Sequence, residues 1–420
     1  MPRSIYGAAV ALVCLSGPAL AEMTALESLG KSVFFDPNLS VNGNQSCSSC
    51  HDPDQGFSSP HGHFSENGAV VQGSVEGRFG NRKPPSAAYA SFSPILHHID
   101  DDGVTIVGGA FLDGRATGKK LGSATADQAQ GPFLNPVEMA LPHAACVVAR
   151  VLHPADETAY PVSYAGVWGA DAVFEIPASI TDQCDDTDAQ IEIGDDDLTA
   201  RIDEAFDRIA ISLAGFEKSD EVNAFSSRFD AWVAGTVTLS EQERRGFEIF
   251  EAEDKGNCAA CHVLTPTGRE QRAIFTDWTF DNIGVPRNRD NPQGPDYVDP
   301  GLGAFLKTDA VYAAYADDVI GAQQVPTLRN LNKRITPDTA KAFMHNGYFK
   351  TIEGVVHFYN TRDVLPRCDG DLTESEALAA KCWPAPEVAA TMNKDELGDL
   401  KLSEAEEADL VAFLKTLDDE

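Results

Sequence analysis

Basic residues are scarce in this chain: 32 Lys and Arg stand against 65 Asp and Glu, a formal charge of -33 over 420 residues. A surface of that sign repels a phosphate backbone, which excludes nucleic acid as a partner. It attracts basic proteins, although acidity also serves plain solubility. Long apolar runs are lacking too. Past Ala21 no stretch approaches the roughly 20 apolar residues that span a bilayer, so no membrane span is expected. Alternating strand patterns are few, which predicts a mainly α protein.

What is present begins with Met1 to Ala21. Arg3 precedes an apolar stretch ending near Val13, then a Gly17-Pro18 break and Ala19-Leu20-Ala21. This is the layout of a cleaved signal peptide, so the mature chain is expected from Glu22 onward in the periplasm. Of nine cysteines, Cys14 leaves with the signal. Four more form two Cys-x-x-Cys-His motifs. Cys146, Cys184, Cys368 and Cys382 remain, and in an oxidising compartment proximity pairs Cys146 with Cys184 and Cys368 with Cys382.

Two halves are legible. Leu26, Leu29, Val33 and Phe34 lie at helical spacing before an Asp36-Pro37 stop, and the first motif follows. In the second half Ser240 and Glu243 form a capping box, and Phe247, Ile249 and Phe250 lead to the second motif. The parallel suggests an internal duplication. Leu198 to Ala234 reads as a helical pair joining the halves. Between Pro142 and Asp197, prolines break short apolar pieces and acids crowd the end, which predicts an irregular insertion. Residues 403 to 417 form an amphipathic helix with an acidic first turn. The expected organisation is thus a first motif-bearing domain at 22–141, an acidic insertion at 142–197, connecting helices at 198–235 and a second motif-bearing domain at 236–420.

The motifs are Cys47-Ser-Ser-Cys50-His51 and Cys258-Ala-Ala-Cys261-His262. In a c-type haem site both thiols add to the vinyl groups, and the adjacent imidazole is forced onto one face of the iron. A redox dithiol or half a zinc site is the rival reading of one such motif. Two independent occurrences favour two covalently attached haems, with His51 and His262 as axial ligands. The opposite faces decide between electron transfer and catalysis. From the residues alone His61, His63, His97, His98, Met344, His345 and Tyr359 all stand as sixth ligands.

Further stretches carry a resemblance. Leu29-Gly30-Lys31 with Phe34-Phe35-Asp36-Pro37-Asn38-Leu39-Ser40, Phe111-Leu-Asp113-Gly114-Arg115, Gln128-Ala-Gln-Gly131-Pro132, Pro136-Val-Glu138-Met139, Phe280-Asp-Asn282-Ile-Gly284-Val-Pro286 and Pro326-Thr-Leu-Arg329-Asn330 are similar to the bacterial di-haem cytochrome c peroxidases. Gly354-Val-Val-His357-Phe-Tyr359-Asn360 is closer to the methylamine-utilisation, MauG-like branch. The resemblance implies two class I cytochrome c-like haem domains. It implies a peroxidatic first haem beneath Gln128 and Glu138, with Glu138 as acid-base group. It also implies Tyr359 as sixth ligand of the second haem, with Met344 as runner-up.

The sequence departs from the family at several points. Where many of these peroxidases carry a releasable histidine, this chain has Val75, so the first iron is expected to be five-coordinate. Leu112 stands where the family has a tryptophan between the haems. Gly256 stands where the methylamine-utilisation enzyme has another. The asparagine that helps hold an inter-haem calcium aligns with Lys83, whose ammonium can replace the ion, so calcium stays open.

The resemblance implies hydrogen peroxide reduction at the first haem, with a basic electron-donor protein such as a small cytochrome. The alternatives are a MauG-like oxidase that modifies a protein substrate through a high-valent iron pair, and a non-catalytic electron-transfer cytochrome.

Overall fold

Helix α1 (Ala25–Phe35) starts at Thr24, whose hydroxyl and Glu27 cap each other's backbone, and it buries Leu29, Gly30, Val33 and Phe34. The computed structural model that reveals this describes residues 22–59, 69–99, 104–265, 272–334 and 341–420. Met1 to Ala21, read as a signal peptide, lie outside the described residues, as do His61 and His63.

Five further helices are central to the site. Helix α2 (Ala144–Leu152) buries Cys146, Val147, Val148 and Val151. Helix α3 (Asp196–Glu217) buries Ile202, Phe206, Ile209, Leu213 and Phe216. Helix α4 (Glu241–Glu251) starts at a Ser240–Glu243 capping box and buries Gly246, Ile249 and Phe250. Helix α5 (Ile352–Thr361) is capped by Thr351, and α6 (Glu404–Leu414) by Ser403 and Glu406.

The two halves repeat one helix crossing. A Cβ added at Gly30 would lie 1.9 Å from the Ser212 carbonyl oxygen and 3.0 Å from Phe216 Cβ. One added at Gly246 would lie 2.0 Å from the Asp409 carbonyl oxygen and 2.8 Å from Phe413 Cβ. Only glycine lets the backbones approach this far. One turn along, Phe34 meets Phe216 edge-on at 5.2 Å, and Phe250 meets Phe413 edge-on at the same 5.2 Å. Thus α1 packs on α3 as α4 packs on α6. Helix α3, expected as a connector, closes the first half, because its apolar stripe is used up against α1 and α2.

Residues 142–197 are more ordered than their prolines predict. Helix α2 ends before Pro154, and its apolar side belongs to the same core as α1 and α3. The remainder is short helices, Tyr164–Trp168 and Ala178–Thr181. A Cys146–Cys184 disulfide closes 38 residues of chain here, and a Cys368–Cys382 disulfide closes 14 in the second half.

Sheet is confined to two-residue antiparallel ladders, His97–His98 with Ile106–Val107 and Phe280–Asp281 with Gln323–Gln324. The protein is mainly helical. Among the described residues no helix is long and apolar enough to cross a membrane. The halves interlock: Ile274 and Trp278, from the second half, pack in the first-half core.

Candidate haem sites

The first motif forms one helical turn, Cys47–Cys50, started by Ser46 and Ser49, and the His51 amide donates to the Cys47 carbonyl at 2.9 Å. Burial pushes the His51 imidazole down to about 4, against the pull of the Phe57 and Pro85 backbone, so it is neutral. In the second motif Asn257, in the left-handed region, opens a turn at Cys258–Ala260. The His262 amide donates to the Cys258 carbonyl at 2.9 Å, and Nδ1 lies 2.9 Å from the Phe275 carbonyl oxygen. Burial lowers His262 as well. A neutral imidazole is the form that binds iron.

The motif cysteines are unpaired thiols. Burial pushes Cys50, Cys258 and Cys261 up to about 12. A reactive dithiol is activated by surroundings that lower this value, so that rival reading fits poorly. The one group of metal-capable side chains among the described residues, Cys261 with Asp281 and Glu396, brings in a single cysteine.

Both motifs open onto one cavity of about 450 Å³, with Cys47, Cys50 and His51 in its wall together with Cys258, Cys261 and His262. Arg82, Lys83, Arg115, Arg329 and Lys341 also line it, a concentration of cations in a chain poor in them. Arg82 forks onto Asp299 at 2.5 and 2.7 Å. Although burial opposes it, this pair holds Asp299 down to about 2. Apolar walls with a few cations suit a porphyrin with two propionates, so these residues fit two c-type haems.

Gln128 sits on the helix Ala124–Ala129, and its side chain lines the cavity, as does Glu138. The Glu138 backbone is pinned: its carbonyl accepts from the Ser74 amide at 2.7 Å, and a Cβ at Gly73 would meet the Val137 carbonyl at 2.4 Å. Burial raises the Glu138 carboxyl above its usual range, with Arg115 and Asn135 pulling it back. Its charge reaches both Cys47 and Cys50, so it belongs to the first-motif end.

Tyr359, on α5, lines the cavity, and so do Met344 and His345. Burial and the charges of Cys261 and Asp281 raise the Tyr359 phenol; a bound metal would reverse that preference. His345 is tied to Glu387 at 2.9 Å. His97 and His98 stay outside the cavity wall, the first exposed and the second stacked on Tyr315. Val75 packs against the first-half core. Leu112 and Gly256 line the cavity, and a Cβ at Gly256 would lie 2.5 Å from the Ile249 carbonyl, so no larger side chain fits there.

Three wall residues escaped sequence reasoning. Trp278 is buried with its indole N–H unpartnered and is the tryptophan of the cavity wall. Glu217 interrupts the apolar stripe of α3, which is the signal that could have found it. Lys341 Nζ donates to the carbonyls of Gln55 at 3.0 Å, Asn330 at 2.9 Å and Lys333 at 2.8 Å. Lysine has three N–H donors, and all are used. Nearby, Lys83 Nζ donates to Ser58 Oγ at 3.1 Å and to the Pro84 carbonyl at 2.9 Å, and burial pushes it down to about 8.

Known proteins share this design. Residues 24–238 match the family model of the di-haem cytochrome c peroxidases. The methylamine utilization protein MauG of Paracoccus denitrificans is 31% identical, over 94% of this chain and 89% of that protein. The cytochrome c551 peroxidase of Nitrosomonas europaea is 24% identical, over 80% of this chain and 72% of that one. Among solved structures, the diheme peroxidase BthA of Burkholderia thailandensis aligns with a TM-score of 0.73 at 30% identity, covering 96% of this chain and 87% of BthA.

Proposed function

Since the chain belongs to the di-haem cytochrome c peroxidase family, a family of oxidoreductases with two c-type haems, we propose that it reduces hydrogen peroxide at the first haem with electrons passed through the second. The observation that carries this reading is the sorting of two side chains, Glu138 with the first motif and Tyr359 with the second. Cys47 and Cys50, and likewise Cys258 and Cys261, would bond the haem vinyl groups, and His51 and His262 would each hold an iron. Each half, α1 with α3 and α4 with α6, forms a cytochrome c-like haem domain. The protein works in the periplasm.

Bound haem supplies an iron that takes peroxide or single electrons. The chain supplies the proton traffic. Glu138 takes the proton from the near oxygen of peroxide and returns it to the far one, which leaves as water. Gln128 holds the peroxide by hydrogen bonding. Two electrons and two protons then complete the reduction to two waters. Val75 has no atom that could bind an iron, so the first haem would keep a place for peroxide, whereas the Tyr359 phenol would hold the second iron. With Leu112 between the halves, the oxidisable ring available to the wall is Trp278. The acidic surface recruits a basic donor protein such as a small cytochrome. Lys83 stands where the family's calcium-holding asparagine would be, and its ammonium would take the place of the ion.

Tyr359 and the likeness to MauG favour a second reading, in which the haem pair withdraws electrons from a protein substrate. Peroxide added to the purified diferric protein, with and without reduced cytochrome c, tests both. Rapid turnover of the cytochrome is expected. A long-lived oxidised spectrum with little turnover transfers the assignment to the second reading, and indifference to peroxide leaves only an electron carrier.

A further inference from the structure

The repeated helix crossing aligns the two cavity walls residue by residue. Phe216 and Phe413 correspond, each against its glycine. One turn earlier Leu213 and Leu410 correspond, and both line the cavity. The next position is Glu217 in α3 and Leu414 in α6, and both line the cavity as well. The first half thus presents a carboxyl where the second presents an isobutyl group.

That carboxyl is poorly served. Glu217 is only 7% exposed. Among the described residues no hydrogen bond reaches its carboxylate oxygens, although its backbone carbonyl accepts from Asn223 at 2.8 Å. It is the last residue of α3, where the helix dipole disfavours negative charge. Burial pushes it up to about 8, and no charged side chain shifts it either way. Of the titratable groups in the same wall, which include the cations named above and His51, the Cys47 thiol feels its charge, and Glu138 acts on that same thiol. Burying such a group where leucine is accommodated costs stability unless something bound in the cavity interacts with the charge.

A ferric haem with a neutral histidine carries one positive charge more than a ferrous one. We infer that Glu217 is the redox-linked proton site of the first haem, protonated while the iron is ferrous and ionised once it is ferric. On oxidation one electron leaves the first haem for a one-electron acceptor, the second haem in the protein or the mediator in the titration below. One proton leaves the Glu217 carboxyl for water past its small exposed edge. Reduction reverses both. The inference rests on the reading that Cys47, Cys50 and His51 hold a haem.

Spectroelectrochemical titration of the holoprotein from pH 6 to 9 tests it. In the wild type the first-haem potential falls as pH rises, approaching one proton per electron, about 59 mV per tenfold change in proton activity. Glu217→Gln and Glu217→Leu flatten that slope, and Glu138→Gln keeps it. Infrared difference spectra on reduction show a protonated-carboxyl band that both Glu217 variants lose. A wild-type potential independent of pH, an unchanged slope in Glu217→Leu, or a slope lost only in Glu138→Gln overturns the inference. A haem count of one, with nothing bound at the first motif, refutes instead the reading beneath it. Leucine already occupies the corresponding place in α6, so Glu217→Leu is compatible with the fold.

Discussion

His262 Nδ1 lies 2.9 Å from the carbonyl oxygen of Phe275, and since a carbonyl only accepts, Nδ1 carries the hydrogen. Nε2 therefore keeps its lone pair for an iron. The same loop is fastened to the motif by the Asp277 amide, 3.0 Å from the Cys261 carbonyl. The imidazole is thus set in one tautomer and one direction.

The other face of that iron is assigned to Tyr359. Tyr359→Phe is expected to change the low-spin spectrum of the second haem and raise its potential, since a phenolate stabilises oxidised iron. The first haem should be unaffected. If the absorption and electron paramagnetic resonance spectra are those of the wild type, the assignment passes to Met344.

Glu138→Gln removes the one carboxyl that reaches both first-motif cysteines while keeping its shape. The reaction with peroxide should slow by about 10²–10⁴-fold, the usual contribution of a positioned acid-base group. Stopped-flow spectroscopy would measure it, with the haem content confirmed as two. Equal rates would remove Glu138 from the reaction.

Gly246→Ala forces a methyl group to within 2.0 Å of the Asp409 carbonyl. The crossing must open, at a cost of about 1–3 kcal/mol or more. Gly30→Ala should behave alike in the first half. Gly194→Ala, where an added Cβ meets nothing within 4 Å, is the control and should leave the denaturant midpoint within error.

His357 on α5 lies 3.0 Å from Glu407 on α6, and Asn360 donates to the same carboxylate at 2.6 Å. The hydrogen bond to Glu407 raises His357, against burial. A histidine raised in the folded state contributes stability that is full below its unfolded value, about 6.5. That contribution fades as pH climbs through the folded value. Melting temperature should therefore fall between pH 6 and 9 by on the order of 1 °C more in the wild type than in His357→Gln. Parallel curves for the two proteins would show that the pair is inert.

Local signals were legible in the sequence. The capping box at Ser240, the two motifs and the helical stripes depend on neighbours a turn apart, and the helices form there. What depends on distant partners was not. Helix α3 reads as a connector until Gly30 is seen against Ser212. Helix α2 is obscured by the prolines around it, though its own apolar face is continuous. Lys341 looks like an ordinary surface lysine, because its partner Gln55 is 286 residues away. Glu217 is one acid on a helix rich in them, and only the matching Leu414 marks it as out of place. For Gln128, Glu138 and Tyr359 the motif context indicated which of many similar side chains to consider, and all three line the cavity.

Lys341 joins the loop after the first motif to the loop ahead of α5. A metal ion in such a place comes and goes with its supply, and a chelator can strip it. An ammonium on the chain's own side chain is present once per molecule from the moment of synthesis. The alignment of Gln55 with Asn330 and Lys333 is accordingly settled when the protein folds, by a group of fixed stoichiometry.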